Sequence, residues 1–204
     1  MNRPRQHIDK IITSIINSVN IPSVICSYHS TQPNDLLLQG DDIFIILEGW
    51  IELFHKDSKI LLGRMNGPYI LKLVPYNFSE NYTVNTNSHF SYFTCSRSLF
   101  YAHIERQNLW RDLFAVLTYT NMLLFEQFEV MKMNNLYEVV KYYLIKIEND
   151  EAVMRKENVC LYITSRTGYS RSGVMTIIRA LHKGGYIRID KGKLVGIKNL
   201  PQGF

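Results

Sequence analysis

The four residues Asp190-Lys191-Gly192-Lys193 stand between two apolar runs, Tyr186-Ile187-Arg188-Ile189 and Leu194-Val195-Gly196-Ile197. A tight turn carrying glycine between such runs is a strong hairpin signal. Ahead of it, Asn158 can cap a short helix through Ser165, and Arg166-Thr167-Gly168-Tyr169 supplies a turn. Ser170 can then cap a second helix ending at Gly184-Gly185. Helix, glycine-containing turn, helix and basic hairpin in that order specify a winged helix-turn-helix from about Met154 to Phe204, and the order is far more specific than any member of it. Within the second helix Val174, Ile177, Ile178 and Leu181 fall on one face and are expected in the core. Arg171, Ser172, Met175 and Arg179 lie largely away from it.

Charge is distributed to match. The chain of 204 residues carries a net +5, but Arg155 to Phe204 holds ten lysines and arginines against Glu157 and Asp190. That segment is therefore +8 and the first 154 residues are −3. A basic module attached to a mildly acidic one is the arrangement expected when only one part meets a polyanion. A solvated basic face is the alternative, and charge alone does not separate the two.

The candidate contacts with double-stranded DNA are Ser170, Arg171, Ser172, Met175, Thr176, Arg179, Lys183, Lys191 and Lys193. Arg171, at the start of the second helix, could present its planar fork to guanine, while Ser170, Lys183, Lys191 and Lys193 suit phosphate. Each has a plainer alternative: Ser170 as a cap alone, Arg171 as a solvated charge.

The rest of the chain reads as α+β. Ile8, Ile11, Ile12, Ile15, Ile16 and Val19 recur at helical spacing, so an amphipathic helix opens the chain and stops near Pro22. From Val24 to Ser96, short β-branched and aromatic runs are broken by Gln32-Pro33-Asn34-Asp35, Gly40-Asp41-Asp42, His55-Lys56-Asp57-Ser58, Asn66-Gly67-Pro68 and Asn85-Thr86-Asn87, which predicts a β-sandwich or β-roll. Ser98 is the expected cap of a short helix and Asn108 of a long one running to about Met133. Along the long helix Leu113, Leu117, Thr120, Leu124 and Met131 fall near a/d spacing, while Trp110, Phe114, Phe125 and Phe128 widen the apolar surface. One face can lie on the β-domain and the other can pair with a second copy of the chain, burial within one subunit being the alternative. Leu136, Val139, Val140, Tyr143, Leu144 and Ile147 form the stripe of a further helix, followed by Glu148-Asn149-Asp150-Glu151 as an exposed turn. The expected division is residues 1–107, a sensor-like β-roll; 108–134, a dimerisation helix; and 135–204, the winged helix-turn-helix.

Taken along its length, the chain resembles the cAMP receptor protein/FNR superfamily. Phe44-Ile45-Ile46-Leu47-Glu48-Gly49-Trp50-Ile51-Glu52-Leu53-Phe54 resembles the strand-glycine-strand signature of its cyclic-nucleotide-binding-like β-roll, Asn66-Gly67-Pro68-Tyr69-Ile70 a later turn, and Gly168-Tyr169-Ser170-Arg171 the start of its recognition helix. Ser170-Arg171-Ser172-Gly173-Val174 through Gly184-Gly185-Tyr186-Ile187 is also similar to the enterobacterial IprA-like (YaiV) regulators, a group whose name refers to hydrogen peroxide resistance. The resemblance implies a homodimeric transcriptional regulator that reads an inverted repeat, with RNA polymerase as a further candidate partner and a link to oxidative stress.

The effector site departs from the family pattern. The glutamate that holds the ribose in cAMP-binding members falls on Lys72, and Ser79-Glu80-Asn81-Tyr82-Thr83-Val84 offers no arginine for a cyclic phosphate. An uncompensated buried anion is prohibitive, so no response to cAMP is expected. In the recognition helix, Ser172 and Thr176 stand where the best-known members carry glutamate and a second arginine, so a different operator is expected. No cofactor is expected. Cys26, Cys95 and Cys160 are far apart, without a CxxC pair, metal spacing or an iron–sulfur cluster pattern. No run approaches the roughly 20 apolar residues of a membrane span, and a cytoplasmic location follows as an expectation. No paired carboxylates, phosphate loop or nucleophile elbow suggests an enzyme. The competing reading is a small-molecule or haem-binding sensor acting through a protein partner.

Overall fold

A computed structural model describes residues 3–18, 26–28, 42–73 and 81–203. Two compact units divide the chain, one of Met1–Asp57 with Leu62–Phe125, the other of Ser58–Leu61 with Glu126–Phe204. Each has its own apolar core.

In the first unit α1 (Arg5–Ile16) buries Ile8, Ile11, Ile12 and Ile15, the stripe expected from the sequence. Among the described residues seven strands follow: β1 (Cys26–Tyr28), β2 (Ile43–Glu48), β3 (Trp50–His55), β4 (Leu61–Asn66), β5 (Tyr69–Leu71), β6 (Tyr82–Thr86) and β7 (Phe90–Cys95). They form two sheets, ordered β1-β7-β2-β5 and β4-β3-β6. Ile43 to Ile46 are all buried, so β2 reads as an unbroken apolar run because both of its faces meet the core. Phe44 stacks on Tyr92 at 4.5 Å between ring centroids, which ties β2 to β7. Gly49 turns β2 into β3 at φ +83, and a Cβ there would lie 2.4 Å from Asn87 Oδ1, which accepts from Trp50 N. Glycine is required at that position. The stretches Gln32–Asp35 and Gly40-Asp41 lie outside the described residues, as do Ser79 and Glu80.

Two helices close this unit. In α2 (Arg97–Arg106) the cap is Ser96, whose side chain accepts from Leu99 N, and not Ser98, which lies inside the first turn. Asn108 does not cap the long helix either. It stands at φ +53, and the amides of Asn108 and Leu109 bond back to Glu105 O and Ile104 O. Asparagine tolerates this left-handed conformation, so it terminates α2 instead of opening the next helix. That helix, α3 (Trp110–Met131), crosses the division between the units.

The second unit contains α4 (Leu136–Glu148), α5 (Glu151–Lys156), α6 (Val159–Thr167), α7 (Arg171–Lys183), β8 (Ile187–Asp190) and β9 (Lys193–Ile197). The stretch expected as a charged turn contributes to a helix: Asp150 accepts from the amides of Ala152 and Val153 and so starts α5 at Glu151. Tyr143, Leu144 and Ile147 of α4, Ile163 of α6, Val174 and Leu181 of α7, and Ile187 and Leu194 of the hairpin share one core.

Candidate nucleic-acid interface

The turn between α6 and α7 follows from three local features. Asn158 Oδ1 accepts from Leu161 N and opens α6. Gly168 closes it at φ +71, the left-handed geometry that favours glycine. Ser170, in extended conformation, accepts from Gly173 N at 3.2 Å and opens α7. The caps expected at Asn158 and Ser170 are both present, and they fix where α7 begins.

Along α7, Val174, Ile178 and Leu181 are buried and Ile177 is half-buried, while Ser170, Arg171, Ser172, Thr176, Arg179 and Lys183 are exposed. Met175 is the exception among the expected contacts: it is half-buried and packs on the core. The Thr176 hydroxyl donates to Ser172 O at 2.9 Å, and Ser170 Oγ lies 3.2 Å from Ser172 Oγ. No hydrogen bond or ion pair engages the side chains of Arg179 or Lys183 among the described residues, whereas the Arg171 guanidinium lies beside the Cys160 thiol and favours its ionised form. Arg166 differs, since its guanidinium lies over the Tyr162 ring at 3.6 Å and bonds to Tyr162 O.

The hairpin pairs Asp190 with Lys193 across a two-residue turn in which Lys191 and Gly192 both have positive φ, +46 and +81. That geometry matches the right-handed twist of the flanking strands. Lys191 is exposed and unbonded among the described residues, but Lys193 Nζ donates to Arg155 O at 2.9 Å. The structure therefore brings Ser172, Thr176, Arg179 and Lys183 onto one exposed helix side, leaves Ser170 and Arg171 exposed at the start of that helix, carries Lys191 and Lys193 on the hairpin of the same unit, and turns Met175 partly inward.

The expected pairing face of α3 is corrected. Leu113 is 1% exposed in the core of the first unit, Leu117 packs on that core, and Thr120 is bonded to Tyr69 Oη at 2.8 Å. Only Leu124, 62% exposed, faces outward as expected; the side chain of Met131 lies outside the described atoms. The outward stripe is instead Trp110, Phe114, Leu124, Phe125 and Phe128, with Phe114 71% and Phe125 69% exposed. It is rotated by roughly 60° from the a/d set, because the β-domain takes the face that holds Leu113, Val116 and Thr120. The spacing of the aromatics at 110, 114, 125 and 128 was the available signal.

The Cys95 and Cys160 side chains are buried. Burial pushes the Cys95 thiol up to about 12; burial also raises that of Cys160, opposed in part by the Arg171 guanidinium beside it, and Cys160 Sγ lies 3.9 Å from Arg171 O. Lys72 stands at φ +61 beyond β5, and Leu73 O accepts from Arg97 Nη1 and Tyr101 Oη. Among the described residues no group of histidine, cysteine and carboxylate side chains could hold a metal, and no helix is long and apolar enough to cross a membrane.

Comparison with known proteins agrees with this geometry. Residues 136–202 match the family described as winged helix-turn-helix DNA binding. Over 170 residues the chain is 32% identical to the Inhibitor of hydrogen peroxide resistance of Escherichia coli (strain K12), covering 82% of each protein. The chain belongs to that family. Among solved structures, the c-di-GMP responsive global regulator CLP of Xanthomonas campestris is similar with a TM-score of 0.64 at 10% identity, covering 93% of this chain and 99% of that one. A transcriptional regulator of the CRP/FNR family from Eubacterium rectale is similar at 0.52 and 14%, covering 93% and 90%. At such identities the likeness is one of fold, and the fold is that of CRP/FNR regulators. Both resemblances read from the sequence are thereby borne out, and family and fold are those of transcription regulators.

Proposed function

We propose that this protein is a homodimeric transcriptional regulator of the CRP/FNR type that binds an inverted repeat in double-stranded DNA and does not respond to cAMP. The observation that carries the reading is the exposed side of α7, where Arg179 and Lys183 stand without partners among the described residues, on a helix whose serine-capped N-terminus carries the exposed Arg171. A helix N-terminus and free cations further along the same helix suit a polyanion, and the exposed Arg171 suits guanine O6 and N7. Ser170, Lys183 and Lys191 suit phosphate, and Ser172 and Thr176 complete the reading face. The outward apolar stripe of α3 supports pairing with a second copy of this chain. Two copies of α7 related by a two-fold axis would meet successive major grooves about 34 Å apart. The name of the Escherichia coli relative supports a role in peroxide resistance. That role is exerted through the genes bound.

Selection of bound fragments from random DNA, followed by footprinting, tests the reading. Paired protected half-sites whose affinity falls steeply with salt are expected, and no protection at low salt would overturn it. Arg171→Ala is expected to relax specificity at one base pair in each half-site, by about 1–3 kcal/mol. Uniform weakening across all sequences would assign Arg171 to phosphate instead. Calorimetric titration with cAMP is expected to give no heat of binding.

A further inference from the structure

Lys191 and Lys193 flank one glycine, yet only one of them is free. The Lys191 ammonium has no partner among the described residues, whereas Lys193 Nζ donates to Arg155 O at 2.9 Å. Arg155 lies in the last turn of α5, where carbonyls have no partner within the helix and a cation is favoured by the helix dipole. Val153 O is taken by Glu157 N, and Lys193 supplies a donor to Arg155 O from outside. The wing is held at two further points. Gly192 O accepts from Val159 N at 2.9 Å, and Glu148 Oε1 accepts from Ile197 N at 2.9 Å. At the tip the approach is close, since a Cβ on Gly192 would lie 2.3 Å from Asn158 Nδ2.

We infer that Lys193 is a positioning residue that straps the wing to the end of α5 so that Lys191 alone of the two meets phosphate. The inference rests on the DNA-binding reading above. The bond to Arg155 O leaves the Lys193 charge intact but anchors the ammonium to its own unit, and on this inference the anchored group stays at that carbonyl when DNA binds and adds nothing to counterion release. Its effect on DNA is to fix the wing before contact, which lowers the ordering cost of binding.

The test uses the full chain and a short duplex of mixed sequence, titrated over a range of salt. Lys191→Met is expected to reduce the slope of log K against log salt by about 0.9, the share of one neutralised phosphate. Lys193→Met is expected to weaken binding roughly threefold to tenfold at every salt concentration with the slope unchanged, as removal of one hydrogen bond implies. Lys193→Arg, which can still donate to the carbonyl, is expected to restore affinity. Independently of DNA, amide exchange in β8 and β9 should quicken in Lys193→Met and not in Lys191→Met. A shallower slope for Lys193→Met would mean that its ammonium neutralises phosphate and would overturn the inference, as would unchanged affinity with unchanged wing exchange. A wild-type chain with no salt-sensitive duplex binding would remove the DNA-binding reading, and the positioning role with it; faster wing exchange in Lys193→Met would then mark the strap as purely structural.

Discussion

Asp112 is buried within the first unit and lies 2.7 Å from both His7 Nδ1 and Lys10 Nζ. Burial alone would raise its pKa, but the hydrogen bonds from Lys10 and His7, with their charges, outweigh it and hold the carboxyl below its ordinary value. The folded pKa is thus below the unfolded one, so this contribution is complete above about pH 4 and is lost as pH falls through the folded pKa. Asp112→Asn is expected to cost about 1–2 kcal/mol at neutral pH, discounted because His7 and Lys10 are themselves well exposed, and to flatten the acid limb of a plot of Tm against pH. In the second unit Tyr143 presents the opposite case. Its ring is 1% exposed and its hydroxyl has no hydrogen-bond partner among the described residues, with burial pushing its pKa up to about 12. Removing an unsatisfied buried hydroxyl relieves a desolvation cost, so Tyr143→Phe is expected to raise Tm or leave it unchanged. A clear fall would mean that the hydroxyl is satisfied.

At the scale of elements, α3 explains both a success and a correction. Its length and apolar character were legible in the sequence, and so was its division between two faces. The allocation of residues to those faces was not, because Leu113, Leu117 and Leu124 are equally apolar and only the position of the β-domain distinguishes them. Five large apolar side chains left outward on one helix form a surface that monomers rarely expose. Phe125→Glu is expected to convert a dimer into a monomer in sedimentation analysis while preserving helical circular dichroism, because Phe125 takes no part in the buried core of its own chain. Leu113→Glu, in contrast, should unfold the first unit. Capping follows the same pattern. Asn158 and Ser170 act where the sequence put them, whereas Ser98 and Asn108 do not, since Ser96 stands two residues before Ser98 and Asn108 is in the left-handed region that ends α2.

At the scale of the molecule, two cores without shared members predict that the chain does not unfold as a single two-state unit. Calorimetry is expected to resolve two transitions, one lowered by Asp112→Asn and untouched by Tyr143→Phe, the other untouched by Asp112→Asn. A single peak shifted by both would show the units to be thermodynamically joined. The charge division belongs to this scale as well, since the excess of +8 lies in the C-terminal fifty residues, where the free cations of α7 and the wing are found.

The sequence by itself determined the elements with strong local signals: the glycine turns, the capped helices of the helix-turn-helix, the hairpin at Lys191-Gly192 and the amphipathic stripe of α1. Local hydrogen bonds and left-handed backbone positions depend on residue type over a few positions, so they can be read without knowing what lies across the fold. Tertiary structure decided which apolar face of α3 is covered, that Met175 turns inward, and that Lys193 is held by a carbonyl of a helix 38 residues earlier. Those outcomes depend on which surfaces meet at a distance in sequence, and side chains of the same chemistry carry no mark of that meeting.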